Sequence, residues 1–216
     1  MGKLWATAGL SVVVAIVLVA AGGSASGSGL PPFPVALPGN TVALVSHVPL
    51  GLGTITKHEF RHALEQQAAM KGRNSVPKPG EKGYEQLRVA AVEEQLDAVW
   101  VQGQAAEMDL SVTRRQISRE LAAIKKQNFK SNAEYRRFLK ESHFTGRDVR
   151  ERVKLQMLST LIQERVARNA PGSAAKAFKQ FVAAYSKRWR ARTVCAPEFV
   201  TDRCSNGPPS TPRVPS

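Results

Sequence analysis

"TITKHEFRHALEQ", residues 54–66, supports two incompatible readings, and the choice between them decides the fold. His58, Glu59 and His62 stand in the order H-E-x-x-H. Two histidines four apart on a helix face the same way and can share a zinc ion, with the glutamate as general base of a peptidase. The same stretch contains Thr56-x-x-Glu59, a capping box in which hydroxyl and carboxylate each bond the other residue's backbone amide. On this second reading Glu59 is committed to a helix start, and Phe60, Ala63 and Leu64 form the first buried stripe.

The surroundings favour the helix start. Arg61 places a cation inside the pentad, where it would repel a metal. No Gly-x-x-His follows His62, so the three-histidine form is absent. Glu81 and Glu85 lie at a tolerable distance for a third ligand, but Glu81 sits in a Pro/Gly loop and neither is followed by supporting residues. The expectation is no metal and no cofactor. The alternative is a zinc peptidase with His58 and His62 as ligands and Glu59 as base.

Working outward, the pattern is helical from Thr56 onward. Residues 72–83 are a polar breaker loop. The spacing of Val89, Val92, Leu96, Val99, Trp100, Gly103 and Ala106 predicts a long helix from about Tyr84 to Met108. Thr113-x-x-Gln116 opens a helix carrying Ile117, Leu121 and Ile124. Ser131-x-x-Glu134 opens a short one with Tyr135, Phe138 and Leu139. Thr145-x-x-Asp148 opens another with Val149, Val153, Met157, Leu161 and Ile162. After a break at Ala170-Pro171-Gly172, a terminal helix over 174–191 buries Phe178, Phe181, Val182, Tyr185 and Trp189. Its opposite face is basic, with Lys176, Lys179, Lys187, Arg188 and Arg190. Upstream of Thr56, an apolar run and a Pro/Gly turn predict a small strand pair, Val42–Val45 with Thr54 and Ile55. The fold class is therefore mostly α, with a small N-terminal strand pair.

The N-terminus predicts export. Leu4 to Ala21 is free of charge and as a helix would span about 27 Å, close to the thickness of a bilayer core. Gly23-Ser24-Ala25 offers a small-residue cleavage site, so residues 1–25 are a signal anchor or a cleaved signal peptide. The expected localisation is extracytoplasmic, membrane-anchored or secreted, and not a lipoprotein, since no cysteine follows the apolar run. Residues 26–40 form a Gly/Ser/Pro linker, residues 41–194 the helical domain, and residues 195–216 a disulfide loop and disordered tail. Cys195 and Cys204, the two cysteines of the chain, close a short loop around Pro197 and suit a disulfide.

This order of elements resembles the N-terminal chaperone region of the SurA/PrsA type of extracytoplasmic foldases. The matching pieces are "GTITKHEF" (53–60), "VAAVEEQLDAVWVQGQAAEMDLSVT" (89–113), "ISRELAAIKKQNFKSNAEYRRFLKESHFT" (117–145) and "RDVRERVKLQMLSTLIQERV" (147–166). The likeness runs from about Val42 to Val166 and resumes in the terminal helix. In such foldases a parvulin-type prolyl isomerase domain usually lies between these parts. Here only Ala167 to Ala175 separates them, too few residues for any domain. The resemblance implies a non-enzymatic holdase for unfolded or nascent exported polypeptides.

Charge adds a second theme. With 31 Lys+Arg against 17 Asp+Glu, the formal net charge is +14, which favours acidic clients, an anionic membrane surface or polyanions. Nucleic acid is disfavoured: the basic residues are spread over several helices, glutamates are interleaved, and no recognition helix or stacking platform stands out. Phe129, Tyr135, Phe138 and Phe144 cluster across one connection. Aromatics at helical spacing form core, or, if exposed, an apolar floor with a basic rim for client contact. No phosphate-cradling Gly loop and no nucleophile elbow is present.

Overall fold

The computed structural model describes residues 37–207. In chain order these form β1 (Thr41–Val45), β2 (Thr54–Thr56), α1 (Lys57–Met70), α2 (Tyr84–Glu107), α3 (Arg114–Asn128), α4 (Asn132–Glu141), α5 (Gly146–Arg168), α6 (Ala174–Ala191) and β3 (Thr193–Cys195), with a single 3-10 turn at Pro197–Phe199. The domain is mostly helical with a small antiparallel strand pair at its start.

Local chemistry sets the helix starts. The Thr56 hydroxyl accepts from the Glu59 amide at 3.2 Å, and the Glu59 carboxylate accepts from the Thr56 amide at 2.8 Å. Thr113 with Gln116 and Thr145 with Asp148 make the same reciprocal pair. At α4 the Ser131 hydroxyl accepts from Glu134, while the Glu134 carboxylate reaches one residue further back, to the Lys130 amide. Each capping side chain stabilises its helix by about 1 kcal/mol. The helix α2 starts differently: its N-cap is Gly83 at φ 89°, with no side-chain cap. That left-handed conformation is one glycine adopts without strain.

The strand pair is part of a three-stranded sheet in the order β2-β1-β3. Both partners run antiparallel to β1: Ala43 faces Ile55 on one side and Cys195 on the other. The sequence pattern did not reveal β3, because three residues are too few to show alternation and their partner lies some 150 positions earlier in the chain. The strand is locked from below by Thr193, whose hydroxyl accepts from Trp100 Nε1 at 2.9 Å and donates to the Trp189 carbonyl at 2.8 Å. Immediately afterwards the Cys195–Cys204 disulfide closes, with Cα atoms 5.7 Å apart. The loop it closes is not an appendage: Cys195, Ala196, Phe199 and Cys204 all belong to the main core.

The helix α2 runs through the centre. One side (Leu87, Ala91, Val92, Leu96, Trp100) packs with α1, the sheet, Tyr185 and Trp189, and the other (Val101, Ala105) packs with Leu158 and Ile162 of α5. A helix buried on two sides has no single apolar seam. This explains the error in the expected stripe: Val89 is only half-buried and Ala106 is exposed. On α5 the expected Val149, Val153 and Ile162 are buried, with Leu158 and Ser159 in place of Met157 and Leu161. The helix α6 follows α5 after Asn169 to Ser173 alone and packs back against it.

The membrane-anchored localisation is corrected at this level. No helix among the described residues is long and apolar enough to cross a membrane. The apolar run Leu4–Ala21, most of the linker and the tail after residue 207 lie outside the described residues.

Candidate functional site

The H-E-x-x-H residues do not converge on a metal site. His58 is exposed and Glu59 is held in the capping box. His62 turns the other way: its Nε2 lies 2.9 Å from Asp148 Oδ2 and 2.8 Å from Gln66 Nε2. Gln66 is buried and lies 3.4 Å from the His143 carbonyl. The expected candidate third ligands are engaged as well. Glu81 accepts from the Lys78 amide at 2.8 Å, and Glu85 pairs with Arg88. No group of three metal-ligating side chains occurs among the described residues. The role these atoms do serve is to tie α1 to the α4–α5 corner. Burial raises the Asp148 carboxyl, but bonds from the Thr145 amide, from His62 and from the Thr145 hydroxyl outweigh it and hold the group below the usual aspartate range.

A different region stands out. The helices α3 and α4 are apolar along one side and polar along the other, yet neither contains a single buried residue. On α3 the apolar side chains Ile117, Leu121 and Ile124 are half-buried, and on α4 so are Tyr135, Phe138 and Leu139. The two helices form a limb, anchored chiefly where α3 meets α5. The sequence-predicted aromatic residues are brought together along it. Phe129 lies 5.2 Å from Tyr135 and 5.4 Å from Phe138, and Phe138 lies 5.9 Å from Phe144. At the base Phe144 is buried, under the Arg152 guanidinium at 4.5 Å. The other three are half-exposed, and Lys125 sits over the Tyr135 ring at 4.3 Å. The arrangement is thus core at one end and open at the other.

Beside Phe129 the limb leaves an open crevice of about 660 Å³. Its floor includes Leu121, Ala122 and Phe129, and its rim carries Lys125, Lys126, Lys130 and Arg150. No acidic residue lines it. Arg150 joins from the second turn of α5, which no spacing within α3 or α4 could indicate. An apolar floor inside a cationic rim can take up extended chain through side-chain burial and add attraction for carboxylates. Its lining pairs no acid with a base, and no group of three metal-ligating side chains occurs among the described residues.

The described residues thus form a mostly helical domain with a half-exposed aromatic row along its α3–α4 limb. A family model for the SurA-like N-terminal domain matches residues 3–163, and the chain belongs to that family. The family gives the protein a general chaperone-like, polypeptide-binding role, and its domain does not include the catalytic parvulin fold. No curated protein and no solved structure matches. The match ends inside α5, so α6, β3 and the disulfide loop lie outside it.

Proposed function

We propose that this protein is a holdase: it binds non-native polypeptides along the α3–α4 limb and releases them unchanged, without accelerating prolyl isomerisation. The observation that carries the reading is the limb itself, two amphipathic helices whose apolar side chains are only half-buried. Phe129, Tyr135 and Phe138 supply the apolar contact, with Phe144 holding them to the body. A holdase acts by lowering the free concentration of aggregating chain, so it requires affinity and no catalytic group. The five residues between α5 and α6 leave no space for an isomerase domain.

The test is suppression of aggregation of a destabilised client over a range of salt, beside a proline-limited refolding assay. The wild-type protein suppresses aggregation, and a substantial part of the effect persists in high salt because apolar burial is not screened. Phe129→Ser with Phe138→Ser weakens suppression while the far-ultraviolet spectrum stays helical. Proline-limited refolding is not accelerated. No suppression at any salt would remove the holdase reading, and faster refolding would reveal an isomerase. A stoichiometric zinc lost on His62→Ala would restore the peptidase alternative.

A further inference from the structure

The limb has a second side. On α4, Tyr135, Phe138 and Leu139 point into the aromatic row, whereas Arg136, Arg137 and Lys140 occupy the opposite face at helical positions i, i+1 and i+4. That face looks across an open crevice of about 840 Å³ toward the end of α1, where Gly72, Arg73 and Asn74 form the far wall. Arg73 is exposed and its side chain lies beside the start of α2. Its guanidinium lies against Gly83, so close that a Cβ there would stand 2.4 Å from Nη2. The glycine that starts α2 in a left-handed conformation thereby also makes room for the arginine.

Arg73, Arg136, Arg137 and Lys140 have no ion-pair partner among the described residues. One carboxylate, Glu141, shares the lining and is likewise unpaired. Four cations against one anion around a single concavity repel each other, and an incoming anion relieves that repulsion. Ala69 is the one aliphatic side chain of the lining. His143 is the one ring in the lining, and no Phe, Tyr or Trp accompanies it.

We propose that this crevice is a docking site for carboxylate-rich stretches of client polypeptide, set back to back with the apolar row across α4. The proposal rests on the holdase reading above and specifies its preferred client: a chain in which an apolar segment is followed by an acidic one. One short helix then reads both, aromatic on one side and cationic on the other. Polypeptide is favoured over nucleic acid because the adjoining face of α4 carries half-buried aromatic side chains suited to apolar segments of a chain.

The experiment uses a fluorescein-labelled Glu-rich peptide, its Gln-for-Glu counterpart and a single-stranded oligonucleotide, titrated with the intact protein by anisotropy at low salt. The wild-type protein binds the Glu-rich peptide and not the Gln counterpart. R136Q with R137Q and K140Q weakens that binding about tenfold, each exposed cation contributing a factor of a few. E141Q, which removes the single opposing charge, strengthens it. Unchanged affinity in the triple variant would overturn the site, as would tighter binding of the oligonucleotide that the triple variant abolishes. Failure of this proposal and of the holdase reading are separable. A wild type that suppresses aggregation of a neutral client but ignores the Glu-rich peptide refutes the crevice alone. Peptide binding that the triple variant loses, without suppression of any client, supports the crevice and refutes the holdase.

Discussion

Gly103, about one turn before the end of α2, shows how one residue sets the distance between two elements. A Cβ there would meet Trp189 ring carbons at 2.3 and 2.9 Å and Val48 Cγ1 at 2.9 Å. Helix propensity alone favours alanine over glycine by about 1 kcal/mol. Trp189 is fully buried, however, and has nowhere to go. Overpacking costs about 1–3 kcal/mol, so the clash wins and Gly103→Ala lowers the urea midpoint; a raised midpoint would show that the ring can move. Tyr185 sets the opposite case. Its ring packs against Trp100, Phe181 and Trp189, but its buried hydroxyl has no hydrogen-bond partner among the described residues. Burial accordingly drives its ionisation far above the ordinary tyrosine range. Tyr185→Phe keeps the ring and removes the unsatisfied atom, and it stabilises by about 0.5–1 kcal/mol. A loss of stability in thermal unfolding would mean that the hydroxyl is bonded. Asp148 gives the pH dependence. Its folded pKa is depressed, so its contribution is fully present above the unfolded value near 4 and fades as pH falls through the lower folded value. As pH falls below the unfolded value the wild type therefore loses more stability than Asp148→Asn does. Equal losses would show that the carboxylate contributes nothing there.

At the scale of elements, the sequence was most informative where the physics is local. Capping boxes at Thr56, Thr113 and Thr145 announce three helix starts because donor and acceptor lie three residues apart. The bounds of α6 follow from the break at Pro171-Gly172 and from its apolar stripe. The same locality explains what was hidden. Pairing of β3 with β1 depends on residues at opposite ends of the domain, and His62 meets Asp148 only once α1 and α5 are folded together. Thus the capping role of Glu59 was legible, whereas the His62 latch was not. The open faces of α3 and α4 were half legible: the aromatic cluster could be seen, but its exposure depends on what fails to cover it. The late elements also carry a stability prediction. Thr193 and the Arg203 pairs with Glu93 and Asp97 fasten the end of the described chain to α2, and the disulfide ties Cys204 back to β3. Reducing the disulfide frees a short loop in the unfolded state, a loss of about 2–3 kcal/mol by the chain-entropy argument. Thermal unfolding with and without reductant measures it, and coincident transitions would show that packing alone retains β3.

Across the whole molecule, burial is uneven in a way that bears on function. The sheet, α1, α2, α5 and α6 enclose the two clusters of buried apolar side chains, while α3 and α4 contribute no buried residue to either. Opening free energy follows buried apolar contact, so such a molecule does not open uniformly. The limb has little to lose on separating from α5: half-buried side chains, cap bonds and an aromatic row whose buried member, Phe144, precedes the α5 cap. The body must break its core. Hydrogen exchange of the native protein therefore shows amides of α3 and α4 exchanging well before those of α2, which runs through the centre. A chain-binding surface gains from this arrangement, because a loosely held limb can adjust the spacing of its side chains to clients of different sequence at small cost. The same measurement with a bound unfolded client slows exchange in α3 and α4 and leaves α2 unchanged, since only the open faces acquire new contacts. Exchange that is uniform across all six helices would show that the limb is part of a single cooperative unit. Protection that rises in α2 and not in the limb would place the client elsewhere and remove the basis for the holdase site.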